Sequence, residues 1–487
     1  AATRVDENGL VNYAEIIGSE EVINGDFELN SNWTNFGTPT TSEQSTEQSH
    51  TGTYSWKVIA DAIQEGIFSP NNFSITNGNS YSVSLWIYSV SGDSIKSGLN
   101  NTNVSVFTER TVIAGQWTNI TYEATATSTG ASYISILSQN SLNFYIDNVS
   151  VKEVTRDNVP RIDYTVGVKG GCPHILAEPQ RTNLIKNSEP TAQESAANGV
   201  TYEAFSWSIG FTNCVKWTDT NNSFWYGGTV SASTEYTMSV YIIMDDLSQP
   251  NVGNGSGNDF FLIAGNTTAS DYLLVDFGNN IWRVSGVATS STINLNNSGI
   301  RKLSNSSKGF RAVGFQIEVG SYATSYIPTS GSTVTRNQDI FTRDGIGSLI
   351  NSTEGVLFVE MSALADDLTG RSISLNDGTY TNTVILRYLD LSNQIQGVVR
   401  IGGSFKGICT HTLSDSTISI KVAYKWKDSD FALWINGSEV ATSSDVGAFS
   451  TDTINKLSFD KGDDTQDFFG KVKQLQVYKT ALTDTQL

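Results

Sequence analysis

The sequence predicts an all-β protein made of three tandem β-sandwich domains of jelly-roll type. Short alternating segments bounded by Asn, Gly and Ser recur along the chain, helical periodicity is scarce, and only eight prolines interrupt the pattern. The 487 residues exceed what one hydrophobic core usually serves. An aromatic content of 10% argues against disorder.

The clearest strand lies at residues 81–88, YSVSLWIY. Its period of two places Tyr81, Val83, Leu85 and Ile87 on one face. The opposite face carries Ser82, Ser84, Trp86 and Tyr88. Both faces therefore present aromatic rings, and the second face is a candidate for ligand contact.

A weak internal repeat predicts that the first two domains are related sandwiches. The strand that starts at Tyr81 recurs at Tyr236, and Trp117 recurs as Trp282. Each unit closes on an apolar strand with an acidic residue, at 144–149 and at 313–318. We therefore predict domains at residues 18–153 and 182–337.

The third domain is predicted at residues 338–487. Asn436-Gly437 separates two alternating segments, and this pair favours a type I′ hairpin because both turn positions need positive φ. A final strand over 470–478 is expected to run into a short turn.

Two of these domains resemble known families. Residues 24–28 (NGDFE) with Trp33, residues 49–55 (SHTGTYS) and residues 145–151 (YIDNVSV) resemble carbohydrate-binding modules of families 4, 9 and 22. Residues 354–360, 431–440 and 470–478 resemble the concanavalin-like, laminin-G-like sandwich. These resemblances imply sugar binding in the first domain and a lectin-like fold in the third.

Four further segments resemble a module of bacteriophage and prophage tail-fibre or adhesin proteins. They are ATRV with GL at 2–10, VPRIDY at 159–164, Cys172-Pro173, and EPQRTNL at 178–184. Residues 1–17 and the linker 154–181 would carry this module, with the first sandwich inserted between its parts. The resemblance implies a virion or extracellular location, and the absence of an initial Met suggests a fragment of a longer chain.

Composition narrows the possible partners. Forty-nine acidic against 30 basic residues give a net charge of −19, which disfavours nucleic acid because phosphate binding relies on Lys and Arg. The sequence contains no run of about 18 apolar residues, so no membrane span is predicted. Cys172, Cys214 and Cys409 are far apart and predict neither a disulfide framework nor a zinc site.

Catalysis is not expected. Glycoside hydrolysis needs two carboxylates about 5–10 Å apart, and the ExDxxE pattern of concanavalin-like hydrolases is missing. The acidic pairs Asp366-Asp367 and Asp463-Asp464 are typical of solvated turns. His50, His174 and His411 lack the neighbours of a Ser-His-Asp triad. A carboxylate pair assembled from distant strands remains an alternative, because spacing along the sequence does not reveal it.

Binding is the predicted activity, because sugar C–H faces stack on aromatic rings while sugar hydroxyls bond to amides and carboxylates. Packing in the sandwich core is the competing role for every large aromatic residue. The candidate carbohydrate-binding residues are Trp86, Tyr88, Trp225, Tyr226 and Tyr241.

A structural Ca²⁺ site is implied by the resemblance to the carbohydrate-binding modules. Glu28, the backbone of Gly52, and Asp147 fall at the matching positions. Hard oxygen ligands from separate strands would clamp the sandwich edges together. The alternative is that Asp147 only starts a turn.

The sequence as a whole predicts a non-catalytic adhesin that binds cell-surface or environmental polysaccharide and assembles with other virion or tail proteins. A homo-oligomer is expected from the resemblance, a trimer being plausible, and multivalency would strengthen weak individual sugar contacts. Two other classes stay open: a structural decoration or spacer of the virion, and a polysaccharide depolymerase.

Overall fold

The computed structural model describes residues 2–70, 73–156, 159–164, 171–192, 197–218, 224–291, 298–390 and 393–487. In these ranges the chain forms strands and one short 3-10 helix, Gly347–Leu349, so the predicted all-β class is confirmed. Residues 1–14 and 160–487 form one compact unit, and residues 15–159 form the other. The first sandwich, residues 15–159, is therefore inserted in sequence between two parts of a single unit. The amino-terminal hairpin of that unit pairs β1 (Thr3–Val5) with β2 (Val11–Tyr13).

The first sandwich consists of two antiparallel sheets around one apolar core. Its strands are β3 (Ile16–Glu20), β4 (Thr34–Phe36), β5 (Thr41–Ser45), β6 (Ser55–Ala60), β7 (Gly66–Phe68), β8 (Phe73–Ile75), β9 (Ser80–Ser89), β10 (Asp93–Leu99), β11 (Glu109–Val112), β12 (Trp117–Thr125), β13 (Gly130–Ser132), β14 (Ile134–Ser138) and β15 (Leu142–Thr155). One sheet has the order β11-β10-β14-β7-β4. The other has the order β12-β9-β15-β6-β5, with β3 also paired to β15, and β13 pairs with β8.

The alternation predicted at 81–88 holds in β9. Tyr81, Val83, Leu85 and Ile87 are buried in the core, whereas Trp86 and Tyr88 are half-buried on the outward face. Because β9 pairs with both β12 and β15, it lies at the centre of its sheet, and its outward side chains have neighbours on both sides.

The second sandwich repeats this plan. The linker before it carries β16 (Ile162–Asp163) and β17 (His174–Ala177). The strands of the second sandwich are β18 (Arg181–Asn183), β19 (Ala197–Asn198), β20 (Val200–Ala204), β21 (Asn213–Trp217), β22 (Phe224–Tyr226), β23 (Glu235–Met244), β24 (Phe260–Ala264), β25 (Thr267–Thr268), β26 (Ser270–Asp276), β27 (Trp282–Thr289), β28 (Gly299–Lys302), β29 (Phe310–Val319) and β30 (Val334–Arg336). The next strand, β31 (Thr342–Arg343), belongs to the third sandwich. The sheets of the second sandwich have the orders β19-β22-β28-β24-β25 and β20-β21-β29-β23-β27-β26, and β18 pairs with β30. The orders correspond to those of the first sandwich strand by strand, apart from the added β26, so the predicted repeat is confirmed.

The third sandwich packs a seven-stranded sheet against a six-stranded one. Its further strands are β32 (Glu354–Ala363), β33 (Arg371–Asn376), β34 (Thr383–Tyr388), β35 (Gln394–Ile401), β36 (Ser404–Thr412), β37 (Ile420–Lys427), β38 (Phe431–Ile435), β39 (Ser438–Ser443), β40 (Lys456–Ser458) and β41 (Gly470–Tyr478). The orders are β16-β17-β41-β32-β37-β38-β39 and β31-β40-β33-β34-β35-β36. Part of the predicted linker thus extends a sheet, because β17 pairs with β41. Asn436 and Gly437 have φ values of 51° and 80°, which confirms the positive-φ hairpin turn.

The segments that resemble the phage module meet in a buried junction cluster of Arg161, Glu178, Arg336 and Asp339. The Arg161 guanidinium donates to Glu178 Oε2 at 2.6 Å and also pairs with Asp339. Arg336 Nη1 lies 2.7 Å from the same Glu178 oxygen. Both arginines are almost fully buried. Since buried charges need close partners, these four side chains tie the linker to the end of the second sandwich and the start of the third.

The amino-terminal hairpin joins this junction through backbone contacts. Arg161 donates to the carbonyl of Thr3 at 3.3 Å, and the amide of Val5 donates to Asp163 Oδ1 at 2.7 Å. The other Asp163 oxygen lies 3.1 Å from His174 Nε2. Arg161, Asp163 and Glu178 therefore have structural partners, which gives them a role in folding.

Candidate functional site

Aromatic side chains cover the outward face of the six-stranded sheet of the first sandwich. Trp117, Tyr88 and Tyr145 lie directly opposite one another on β12, β9 and β15. The Tyr88 ring centroid is 5.8 Å from that of Trp117 and 6.0 Å from that of Tyr145. Directly opposed side chains share one face of an antiparallel sheet, so the three rings form a row across the strands.

Polar groups continue this row at the Tyr145 end. The Tyr145 hydroxyl donates to Glu47 Oε2 at 2.6 Å, and Lys57 Nζ lies 2.6 Å from Glu47 Oε1. Burial raises the pKa of Tyr145, and its hydrogen bond to Glu47 raises the pKa further. At neutral pH the phenol is protonated and serves as a fixed donor that orients Glu47.

Trp86 lies one row further along the same face. The His50 ring stacks on Trp86 with centroids 3.8 Å apart and planes 17° apart, and Trp117 meets His50 edge-on at 5.6 Å. The imidazole is held by its Nδ1, which is 3.0 Å from Asn148 Nδ2. His50 thereby fixes the Trp86 ring in one orientation.

Trp86 also lines an open cleft of about 540 Å³. Asn24, Asp26 and Ser84 line the same cleft, as do Glu20, Asn148 and Lys152. An aromatic ring beside amides, carboxylates and a hydroxyl is the combination that binds a sugar ring, because the ring stacks on C–H groups and the polar atoms bond to hydroxyls.

The three aromatic residues predicted in the second sandwich do not lie at such a surface. Trp225 is 2% exposed and stacks on Phe315 at a centroid distance of 4.0 Å, and Tyr226 is buried beside Phe224. The expectation that Trp225 and Tyr226 reach an exposed loop is wrong, because both rings are buried in the second sandwich. The nearby glycines do not open the strand to solvent: a Cβ on Gly227 would lie 2.4 Å from the Trp225 ring.

Tyr241 also departs from the prediction. It faces outward from β23, as its pairing position requires, but Phe211, Phe277 and Tyr326 cover that face. Tyr241 is 2% exposed, and burial raises the pKa of its hydroxyl. The corresponding face of the first sandwich carries the half-buried Trp86, so equivalent positions in the repeat have different environments.

The residues predicted to hold Ca²⁺ converge on the loop 50–54. Asp147 is fully buried, and its Oδ2 accepts hydrogen bonds from the backbone amides of His50 at 2.7 Å and Thr51 at 3.1 Å. Glu28 Oε1 accepts from the amides of residues 53 and 54 at 2.7 and 2.9 Å. A Cβ on Gly52 would lie only 2.3 Å from Glu28 Oε1, so this close approach requires glycine.

These residues fit a calcium ion. Burial raises the pKa of Asp147, and the three backbone hydrogen bonds that it accepts do not cancel this rise. Neither Asp147 nor Glu28 has a cationic side-chain partner among the ion pairs of the described residues. The same ranges contain no cluster of three His, Cys, Asp or Glu side chains suited to a metal. Asp147 and Glu28 therefore offer two carboxylates, whose oxygens are hard ligands and already accept hydrogen bonds from the loop amides.

Sequence reasoning missed several residues of this face. Tyr145 could have been found, because Phe144 and Ile146 are inward in the same alternating strand. The stack of His50 on Trp86 has no sequence signal, since it joins a loop to a strand. A second aromatic group lies on the other sheet, where Phe68 is 6.2 Å from Phe36 and 5.4 Å from Tyr133.

Two of the remaining expectations concern absences. The three cysteines are unpaired, with Cys172 exposed and Cys214 and Cys409 buried. Across the described ranges, no helix has the length and apolar character needed to cross a membrane.

Comparison with known proteins places the first sandwich beside sugar-binding domains. Residues 19–140 match a family model described as a carbohydrate binding domain. No curated protein matches. Solved structures with partial likeness include a carbohydrate-binding module of a Ruminococcus gnavus sialidase, which is 18% identical with a TM-score of 0.26 and covers 30% of this chain and 96% of its own.

Two longer overlays reach about two thirds of the chain. A tandem of family 22 carbohydrate-binding modules from a Paenibacillus barcinonensis xylanase is 12% identical, with a TM-score of 0.27, and covers 63% of this chain and 99% of its own. Domains LG4-5 of the mouse laminin α1 chain are 9% identical, with a TM-score of 0.22, and cover 66% and 92%. By its family match, the first sandwich is similar to carbohydrate-binding domains over most of its length.

Proposed function

We propose that this chain is a non-catalytic adhesin component that binds polysaccharide through the first sandwich. The observation that carries the proposal is Trp86, an aromatic ring fixed by His50 at the edge of a cleft lined with amides and carboxylates. The match of residues 19–140 to a carbohydrate-binding family supports it independently.

The bound segment is proposed to lie along the outward face, with Trp86 and Tyr88 as stacking platforms. Asn24, Asp26 and Asn148 border the cleft and would bond to hydroxyl groups. A row of rings across adjacent strands suits an extended chain of sugars better than a single residue, because successive rings then meet successive sugar faces. No proton transfer or covalent step is needed for this function.

The proposed setting is a tail fibre or surface appendage of a phage, in contact with other tail proteins and as a homo-oligomer. The segments at 2–10, 159–164 and 178–184 support it by their resemblance to tail-fibre modules. Several chains in one fibre would turn weak sugar contacts into firm attachment through multivalency. Sedimentation of the purified chain tests the oligomer, and a monomer at all concentrations would contradict it.

The test of sugar binding is a broad bacterial and algal glycan array probed with the full chain. We expect selective binding that Trp86→Ala weakens about tenfold, because a lost aromatic contact is worth about 0.5–1.5 kcal/mol beyond its area. Phe405→Ala is the matched control, an exposed aromatic residue of the third sandwich.

Each other outcome has a defined meaning. Binding that survives Trp86→Ala but is lost in Phe68→Ala would move the site to the other sheet of the first sandwich. Absence of binding to every glycan would favour a structural spacer of the virion, and release of reducing ends from polysaccharide would show a depolymerase.

We also propose that Ca²⁺ binds at Glu28 and Asp147 beside the loop 50–54. The ion would neutralise a buried carboxylate and fix the loop that carries His50, so it would act on stability and on the orientation of Trp86. Calcium should raise the melting temperature of the wild-type chain but not of Glu28→Gln. No heat on titration and no shift in a chelator would refute this site.

A further inference from the structure

We propose that the outward face of the seven-stranded sheet in the third sandwich holds a second carbohydrate-binding site, for neutral saccharides. This site is separate from the one in the first sandwich. It occupies a cleft of about 450 Å³ whose lining includes Phe358, Trp434, Tyr478 and the side chains of Gln474, Gln476 and Asn436.

The floor of the cleft follows from the strand register. Gln476, Phe358, Ala423 and Trp434 lie directly opposite one another on β41, β32, β37 and β38. Ala423 is the small member of this row, so it leaves a depression between the two large rings. Tyr478, two residues beyond Gln476 on β41, is on the same face and 38% exposed.

Trp434 supplies a second and independent observation. Its indole Nε1 is buried but has no hydrogen-bond partner within the part of the chain that the structure describes. The other buried indole of this sandwich, Trp426, donates to the carbonyl of Ser352 at 3.2 Å. Because an unpaired buried donor is unfavourable, a ligand oxygen that accepts a hydrogen bond from this indole would gain binding energy.

The polar lining indicates which ligand is suited. Three amide side chains, Gln474, Gln476 and Asn436, border the cleft, and amides offer both donors and acceptors. The neighbouring carboxylate, Glu360, is paired with Lys473 at 3.4 Å. Lys421 also lines the cleft, but one lysine is not the cluster of cations that an acidic sugar would need. Amides beside aromatic rings match the hydroxyls and C–H faces of an uncharged sugar.

The side chains that form the floor of the cleft point away from the core of the third sandwich. The alternate residues of the same strands, Leu357, Val422 and Leu433, are inward and build the core. The segment after β41 covers part of the outward face, where Asp484 lies 3.5 Å from the buried Lys425. Leu482, Gln486 and Leu487 of that segment line one side of the cleft, and Trp434 is half-buried.

The experiment uses the full chain in a Trp86→Ala background, which weakens the first proposed site, and an array of neutral glycans. We expect residual binding that Trp434→Ala and Gln476→Ala each weaken about tenfold, while Phe405→Ala on the opposite sheet leaves it unchanged. Gln476 is exposed, so its replacement keeps the fold intact even if Trp434→Ala does not.

A second readout reports on the indole itself. In ¹⁵N-labelled protein, Trp434→Phe identifies the Nε1–H resonance, which should shift when xylohexaose, cellohexaose or mannohexaose is added at millimolar concentration, whichever of the three the array shows to bind. The proposal is overturned if Trp86→Ala alone abolishes all binding, if residual binding ignores both variants, or if only acidic glycans bind. Loss of wild-type binding on Trp434→Ala with no effect of Trp86→Ala would instead refute the first site and keep this one.

Discussion

Neutralising Glu178 tests how much the junction cluster contributes to the stability of the larger unit. Glu178 is 3% exposed and faces two arginines: Arg161 Nη1 lies 2.6 Å and Arg336 Nη1 lies 2.7 Å from its Oε2. The change Glu178→Gln keeps the shape of the side chain but removes its charge. Arg161 retains Asp339, whereas the ion pairs of the described residues give Arg336 no other carboxylate partner.

The expected cost follows from burial. Removing one partner of a buried ion pair destabilises by about 3–5 kcal/mol, since the remaining charge stays out of water without compensation. The larger unit has roughly 340 residues, for which about 1 kcal/mol corresponds to roughly 1–2 °C, so the melting temperature should fall by about 5 °C. The double variant Glu178→Gln/Arg336→Met should recover part of this loss.

The pH dependence has a defined sign. Burial raises the pKa of Glu178, but the charges of Arg336 and Arg161 outweigh burial and hold the pKa well below its ordinary value. A lowered folded-state pKa means that the contribution to stability is present above the ordinary value of about 4.3 and fades as the pH falls below it. The difference between wild type and Glu178→Gln should therefore be full at pH 7 and shrink in acid.

The assay is thermal and urea unfolding of the full chain, with the transition of residues 15–159 as an internal reference. Glu360→Gln is the matched control, because Glu360 and Lys473 form a partly exposed pair that contributes about 0–1 kcal/mol. If Glu178→Gln costs no more than Glu360→Gln, or costs the same at pH 3 and pH 7, the reasoning about the junction cluster is refuted.

Three further predictions concern single positions. Gly52→Ala should destabilise the first sandwich by about 1–3 kcal/mol, because φ is +65° and the new Cβ would clash with Glu28. Gly78→Ala, at φ +86° but with open space around the new Cβ, should destabilise it less. Equal melting temperatures for the two variants would contradict this prediction. Trp225→Ala should lower the stability of the larger unit by about 3–5 kcal/mol in urea unfolding and leave first-sandwich glycan binding intact. Without Ca²⁺, the stability of wild type relative to Asp147→Asn should rise as pH falls from 7 towards 4, because burial raises the pKa of Asp147; saturating Ca²⁺ should remove this trend.

Local sequence patterns were sufficient to predict side-chain direction in strands that pack one face against a core. The outward position of Trp86 and Tyr88 followed from the period of two in residues 81–88, and the hairpin at Asn436 followed from its turn chemistry. The same pattern placed Tyr241 on an outward face correctly but failed to predict its burial. The alternation of residues along a strand predicts which side of the sheet each residue faces. It contains no information on what covers that side.

The sequence by itself determined the all-β class, the repeat of the first two sandwiches and the alternation of their central strands, because these depend on residues close together in the chain. The tertiary structure alone decided which aromatic rings stay accessible, and it brought His50 onto Trp86 and Arg161 onto Glu178. It also opened the cleft beside Trp434, where Ala423 separates two large rings on neighbouring strands. Such contacts join distant segments through strand register and loop packing, which no local pattern in the sequence specifies.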